Sequence, residues 1–377
     1  MIGQCSQESV DERYMRHALE LADRGAGWTN PNPLVGAVIV KDGRIIGEGW
    51  HAAYGKLHAE REALANCSED PAGATIYVTL EPCCHWGKTP PCTEAIIEAA
   101  LTRVVVGASD PNPLVAGRGI ECLRKNGIEV TEGILLDQCN AINRAFFHYI
   151  QTKRPYVIAK YAMTLDGKIA TQTGASRWIT SQLARAKVHE DRHRCAAIMV
   201  GIGTVLSDDP ELTSRISNRE TKDPVRVVID SLARIPLSSK IVSSASKVPT
   251  IIAVSERAQT EKLAALEQAG CEVFITQGDS VNLEVVLDHL GTKQQIDSVM
   301  VEGGATLLWS LFSQGLINRI QAYIAPKIFG GKNAPSPVGG EGVTLPNDAF
   351  ACGDPVITLL EPDILIECEV RLCSPES

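Results

Sequence analysis

A chain of 377 residues exceeds the usual size of one compact core, and its 44% hydrophobic and 21% charged residues are ordinary for a globular protein. The formal charge of -9 is spread over both halves, so neither offers the basic field that nucleic acid or an anionic membrane demands. No apolar run approaches the ~18–20 residues of a membrane span. The polar, acidic start does not read as a signal peptide, so a cytoplasmic protein is expected, and its 12 cysteines are too dilute for a disulfide framework.

Ser9 and Glu12 form the sequence pattern of a capping box, and Val10, Tyr14, Ala18, Leu21 and Ala22 continue at helical spacing until Gly25. The two prolines of Thr29-Asn30-Pro31-Asn32-Pro33 forbid helix there. Val35–Val40 and Arg44–Gly49 flank Lys41-Asp42-Gly43 and read as a hairpin. A helix over His58–Ala65, a strand over Ala74–Leu80, a helix over Thr93–Ala100 and a strand over Arg103–Ala108 follow. Gly119–Asn126 and Ile128–Val130 continue the alternation, which pauses around residues 140–155, with the domain boundary placed near Gln151. The predicted domains are therefore 1–150 and 151–377, both α/β. In the second, strands are expected at Tyr156–Ala162, Ala196–Val200, Val225–Asp230, Thr250–Val254, Glu272–Thr276, Ser298–Glu302 and Ile320–Ala325. Helices are expected over Glu261–Ala269 and Leu283–Leu290, and a late strand at Asp363–Leu372 suggests a mixed sheet.

His58, Cys83 and Cys92 are zinc-ligand types, and Glu60 follows the histidine by two residues. Three protein ligands leave a fourth tetrahedral position for water, whose pKa zinc lowers to roughly 7. Glu60 is placed to shuttle the proton to a leaving amine. His58 and Glu60 do not share a helix face, so they converge best in the first turn, and Cys92 also sits at a helix entrance, where the macrodipole favours thiolate. A closed structural site with Cys84 or His85 as the fourth ligand is the alternative. In the second half, Val299–Glu302 runs into Gly303-Gly304 and a helix near Thr306, a junction that presents N–H groups to a phosphate. Gly201-Ile202-Gly203-Thr204 supplies only part of a dinucleotide fingerprint.

The order histidine-x-glutamate, then Pro82-Cys83 and a second cysteine, is that of the zinc-dependent nucleobase deaminases. Eight residues separate Cys83 from Cys92, instead of two. With that loop, Pro82-Cys83-Cys84-His85-Trp86-Gly87-Lys88-Thr89-Pro90-Pro91-Cys92 resembles the deaminase half of the bifunctional riboflavin-biosynthesis deaminase/reductase family. Asn30–Val38, Gly49-Trp50-His51, Asp110-Pro111-Asn112-Pro113 and Gly117-Arg118-Gly119 resemble it too. The second half is similar to the family's reductase through Lys160–Ala170, Ser176–Thr180, Asp208–Thr213, Glu302-Gly303-Gly304 and Ala325–Gly331.

The resemblance implies a cytidine-deaminase-like three-layer α/β/α domain before a dihydrofolate-reductase-like α/β domain with a mixed sheet. It implies zinc held by His58, Cys83 and Cys92, with Glu60 catalytic. It places Asn32, His51, Ala59, His85, Lys88, Asp110 and Asn112 around a diaminopyrimidinone carrying phosphoribosylamine. Ala162, Trp178, Thr204, Asp208, Ser231, Gly303, Gly304, Ala305, Thr306, Leu307, Leu308, Trp309 and Ser310 would contact NADPH. Lys160, Ser176, Arg192, Leu212, Arg215 and Glu302 would contact the reductase substrate. Partners are thus a small phosphoribosyl-pyrimidine, with neither nucleic acid nor membrane, and a homo-oligomer is expected. The rival reading is a generic nucleobase or tRNA deaminase fused to a non-catalytic nucleotide-binding module.

Overall fold

The computed structural model describes residues 9–86, 90–113 and 115–371. The chain divides into two compact units, residues 1–153 and 154–377. No helix among the described residues is long and apolar enough to cross a membrane.

The first unit has five strands, β1 (Gly36–Lys41), β2 (Arg44–Trp50), β3 (Thr75–Leu80), β4 (Arg103–Ala108) and β5 (Glu129–Glu132). Its helices are α1 (Val10–Asp23), α2 (Ala59–Ala65), α3 (Cys92–Glu98), α4 (Arg118–Lys125), α5 (Leu136–Ile142) and α6 (Arg144–Thr152). The order across the sheet is β2-β1-β3-β4-β5, with β1 antiparallel to both neighbours and β3, β4 and β5 parallel. Because strand side chains alternate, Ala37, Ile39, Ile76, Val78, Val104 and Val106 meet α2, α3 and α4 on one face. Val38, Val40, Tyr77 and Val105 meet α1, α5 and α6 on the other. Both faces of the sheet are therefore covered, which makes three layers. The capping box at Ser9 and Glu12 is present. The pause expected after residue 140 is instead two consecutive helices, α5 and α6, hinged at Asn143. The Asn143 amide accepts from the Leu34 N–H and donates to the Leu34 carbonyl, tying that hinge to the loop before β1.

Among the described residues the second unit has ten strands, β6 (Tyr156–Thr164), β7 (Ala197–Gly201), β8 (Val225–Ile229), β9 (Thr250–Ser255), β10 (Glu272–Thr276), β11 (Ser298–Glu302), β12 (Arg319–Ala325), β13 (Ala351–Cys352), β14 (Val356–Leu360) and β15 (Asp363–Arg371). Its helices are α7 (Gln182–Arg194), α8 (Ile202–Asp208), α9 (Lys240–Ser243), α10 (Thr260–Gln268), α11 (Leu283–Thr292) and α12 (Ala305–Ser313). The sheet runs β10-β9-β8-β7-β11-β6-β12-β15-β13, with β14 paired to β15. From β10 to β12 every pairing is parallel, and β15 joins antiparallel, so the sheet is mixed as expected. The short β13 and β14 carry no strong alternation and were not expected. One apolar core lies under α11 and α12, and a second under α8, α9 and α10.

Candidate active sites

His58 is the N-cap of α2 and Glu60 its second residue, so the backbone turns between them and both side chains can reach one point. Cys83 follows β3 and Cys92 is the first residue of α3. The His58 Nδ1 lies 3.5 Å from the Cys83 Sγ and 3.3 Å from the Cys92 Sγ. Two such ligands around a tetrahedral zinc stand roughly 3.5 Å apart, so the donor set fits the ion in both chemistry and spacing. Among the described residues, these three are the one group of histidine, cysteine or carboxylate side chains gathered tightly enough to hold a metal. The hydrogen bond from Cys92, aided by His58, holds the Cys83 thiol down at about 4 despite its burial. Glu60 is 3% exposed, and burial pushes its carboxyl up to about 7, with the Cys83 charge adding to the rise. The buried Glu60 carboxyl thus stands beside the two cysteines, within reach of whatever they and His58 hold.

A cavity of about 330 Å³ opens over this cluster. Asn32, His51, His85, Asp110 and Asn112 all line it. The His51 Nδ1 faces the Leu57 carbonyl at 2.9 Å and its Nε2 faces the Asn32 Nδ2 at 3.1 Å, so the ring is neutral with Nε2 accepting. Burial accordingly lowers its pKa. Asp110 accepts from the Asn112 N–H, and burial raises its carboxyl to about 6. His85 contributes a buried Nδ1 that has no hydrogen-bond partner among the described residues. Ala59 does not line the cavity; its methyl belongs to the core, leaving its backbone as the part near the site. Lys88 lies outside the described residues.

Sequence reasoning missed three contributors. Lys56 is the one lysine or arginine among the described residues that line the cavity. Arg61 donates to the Pro90 and Pro91 carbonyls at 3.1 and 2.8 Å, fixing the approach to Cys92. Glu81 sits buried beneath the Asp110 loop. None carries a signal in one sequence, because each acts on backbone or cavity supplied by distant segments.

In the second unit, Lys160 on β6 and Glu302 at the end of β11 are register partners. Arg192, from α7, forks onto both Glu302 oxygens at 2.6 and 2.9 Å, and the Lys160 Nζ stands 3.6 Å away. Arg215 is exposed and ion-paired to Glu211, while its N–H meets the His189 Nδ1 at 3.2 Å. Leu212 is buried in the core beneath α8 and α9. Ser176 lies on the segment between β6 and α7. Gly303 and Gly304 have φ of +79° and +87°, a backbone region that disfavours any side chain. A Cβ on Gly303 would stand 3.3 Å from the Thr204 Oγ1, so the turns after β7 and β11 lie side by side.

That narrow cradle of N–H groups, at the carboxyl ends of parallel strands, fits a dinucleotide phosphate. Asp208 ends the neighbouring α8, Ser231 lies two residues beyond the end of β8, and Ala162 lies on β6. Trp178 is 64% exposed, with the Arg185 guanidinium 4.5 Å from its ring. Ala305, Thr306, Trp309 and Ser310 lie on α12, whereas Leu307 and Leu308 point into the core and leave only backbone to a ligand.

Residues 8–108 match the family model for the cytidine and deoxycytidylate deaminase zinc-binding region, and residues 155–352 match the RibD C-terminal domain. The chain is 51% identical to the riboflavin biosynthesis protein RibD of Actinobacillus pleuropneumoniae, over 95% of each chain. The chain belongs to the RibD family. It is also 42% identical to RibD of Escherichia coli, over 85% of this chain and 89% of the relative. RibD of Acinetobacter baumannii superimposes with a TM-score of 0.85 at 37% identity, covering 96% of this chain and 99% of that one. The deaminase/reductase of Thermotoga maritima gives 0.82 at 39% identity, with the same coverage. Like RibD proteins, the chain is a bifunctional deaminase and reductase of riboflavin biosynthesis. The rival fusion of a generic deaminase to a non-catalytic module is not favoured, since the likeness spans both halves.

Proposed function

We propose that the first unit removes the ring amine of 2,5-diamino-6-(5-phosphoribosylamino)pyrimidin-4-one as ammonia, and that the second reduces the ribosyl chain of the product to ribityl. The observation that carries the first step is the convergence of His58, Cys83 and Cys92 with buried Glu60 at one cavity. One Zn2+, bound by those three ligands, supplies Lewis acidity toward water, and NADPH in the second unit supplies hydride. Glu60 accepts the proton of the attacking water on a carboxylate oxygen and returns it to the departing amine. Asn32, oriented by its hydrogen bond to the neutral His51, presents its second amide N–H and its Oδ1 as a matched donor and acceptor to the pyrimidine edge, with His85, Asp110 and Asn112 completing the ring of contacts and the backbone of Ala59 closing the floor. Lys56 and Lys88 are the cations that meet the phosphate.

In the reductase, the diglycine, Thr204 and the first-turn N–H groups of α12 at Ala305, Thr306 and Leu307 hold the cofactor phosphates, with Leu308, Trp309 and Ser310 further along that helix and Ala162, Trp178, Asp208 and Ser231 along the cofactor's length. Lys160, Arg192 and Glu302 orient the substrate, with Ser176, Leu212 and Arg215 at its edge. The exposed Val356, Ile357 and Leu359 on β14 support assembly as a homo-oligomer, and the chain acts in the cytoplasm.

The test is Glu60→Gln in the full chain. Zinc content stays at the wild-type level, ammonia release falls about 100- to 10,000-fold, and NADPH oxidation with the deaminated pyrimidine is unchanged. A variant that keeps zinc and still releases ammonia at the normal rate overturns the role of Glu60.

A further inference from the structure

Glu81 is 4% exposed and sits where β3 ends, two residues before Cys83. No lysine, arginine or histidine among the described residues shares the hydrogen bonds of its carboxylate. Instead four backbone N–H groups converge on it. The Oε2 accepts from Asp110 at 3.3 Å and from Gly117 at 3.0 Å, and the Oε1 from Gly119 at 2.9 Å and Ile120 at 3.3 Å. Gly119 and Ile120 open α4, whose N-cap, Gly117, has no side chain to satisfy the first-turn donors. Glu81 supplies that cap from a different strand, and its negative charge suits the positive end of the helix.

The same bonds tie Asp110 to the start of α4, and Asp110, Asn112 and Val115 lie on the cavity wall. Contact here is too close for any other residue at 119: a Cβ would stand 2.1 Å from the Pro82 carbonyl oxygen. One side chain thus ties the segment that leads from β3 to Cys83 to the part of the pocket wall carrying Asp110 and Asn112.

We propose that Glu81 is a positioning residue of the deaminase, clasping the backbone at Asp110, Gly117, Gly119 and Ile120 so that Asp110 and Asn112 keep a fixed distance from the metal-binding cluster. This rests on the reading that Asn112 contacts the pyrimidine. Glutamine at this position keeps the shape but offers one acceptor oxygen, and its amide hydrogens oppose the remaining N–H groups. The wall loses its register while the zinc ligands stay in place.

The experiment uses the full chain and steady-state ammonia release, with zinc content and NADPH oxidation of the deaminated pyrimidine measured alongside. Glu81→Gln raises KM about tenfold or more and lowers kcat less, while zinc content and reductase turnover stay at wild-type values. Because Glu81 acts through the wall, the Glu81→Gln/Asn112→Ala double variant has a kcat/KM within about twofold of the poorer single variant. Gly119→Ala, which keeps the carboxylate but forces the clasp apart, reproduces the KM change and carries the test if the glutamine variant does not fold. An unchanged KM in both Glu81→Gln and Gly119→Ala overturns the proposal, as do losses that multiply in the double variant. An Asn112→Ala variant with normal KM overturns the pocket reading beneath it.

Discussion

Burial ordinarily strips a carboxylate of its charge, yet Glu302 is held ionised. Desolvation works against it, but Arg192 and Lys160 outweigh that cost and bring its carboxyl to about 2. Its ion pairs therefore stabilise the fold fully above the ordinary value of 4.5 and are lost as pH falls toward 2. His189 beside them behaves differently. Burial first, then the Arg192 and Arg215 charges, lower it from 6.5 to about 4. Between those values the unfolded chain binds a proton that the folded chain refuses, so stability drops as pH falls through that window. The denaturant midpoint of the second unit is accordingly lower at pH 5 than at pH 7.5. His189→Gln shrinks that difference, as chemical unfolding at the two pH values will show. An equal difference in the variant would assign the slope to other groups.

Among the elements, α2 decides where the deaminase chemistry sits. It lies against β2 so closely that a Cβ on Gly49 would stand 2.3 Å from the Ala63 nitrogen and 2.4 Å from the Ala59 carbonyl oxygen. That approach sets His58 and Glu60 under the cavity. Gly49→Ala pushes the helix outward, at a cost of about 1–3 kcal/mol. Zinc retention during chelator challenge falls with it, while reductase turnover is preserved; normal retention would show that the ligands tolerate the shift. Element boundaries were legible where periodicity was strong, as in α1, β10 and β11. They were not legible at α5 and α6, where the helix start after Leu135 has a left-handed residue and no side-chain cap.

At the scale of the whole molecule, each unit buries its own apolar clusters on both faces of its own sheet. A unit with a complete core can fold alone. Residues 1–153 and 154–377, produced as separate chains, should each unfold cooperatively, the first releasing ammonia and the second oxidising NADPH with the deaminated pyrimidine. Calorimetry and the two assays check this. Loss of either activity on separation would mean that a site draws on the other unit.

Residue chemistry along the chain was enough to single out His58, Glu60, Cys83 and Cys92, because metal ligands and a proton carrier are restricted to a few side-chain types. It was also enough for the α/β alternation, since burial on one helical face or both strand faces leaves a periodic trace. Glu81, Arg61 and Lys56 left no such trace. Their partners are backbone groups or cavity walls brought near by the fold, and a backbone N–H is the same at every position. Gly49 and Gly119 likewise read as flexible until packing showed that each sits against another segment's backbone. Chemical identity is local and survives in one dimension, whereas contact between distant segments exists only in three.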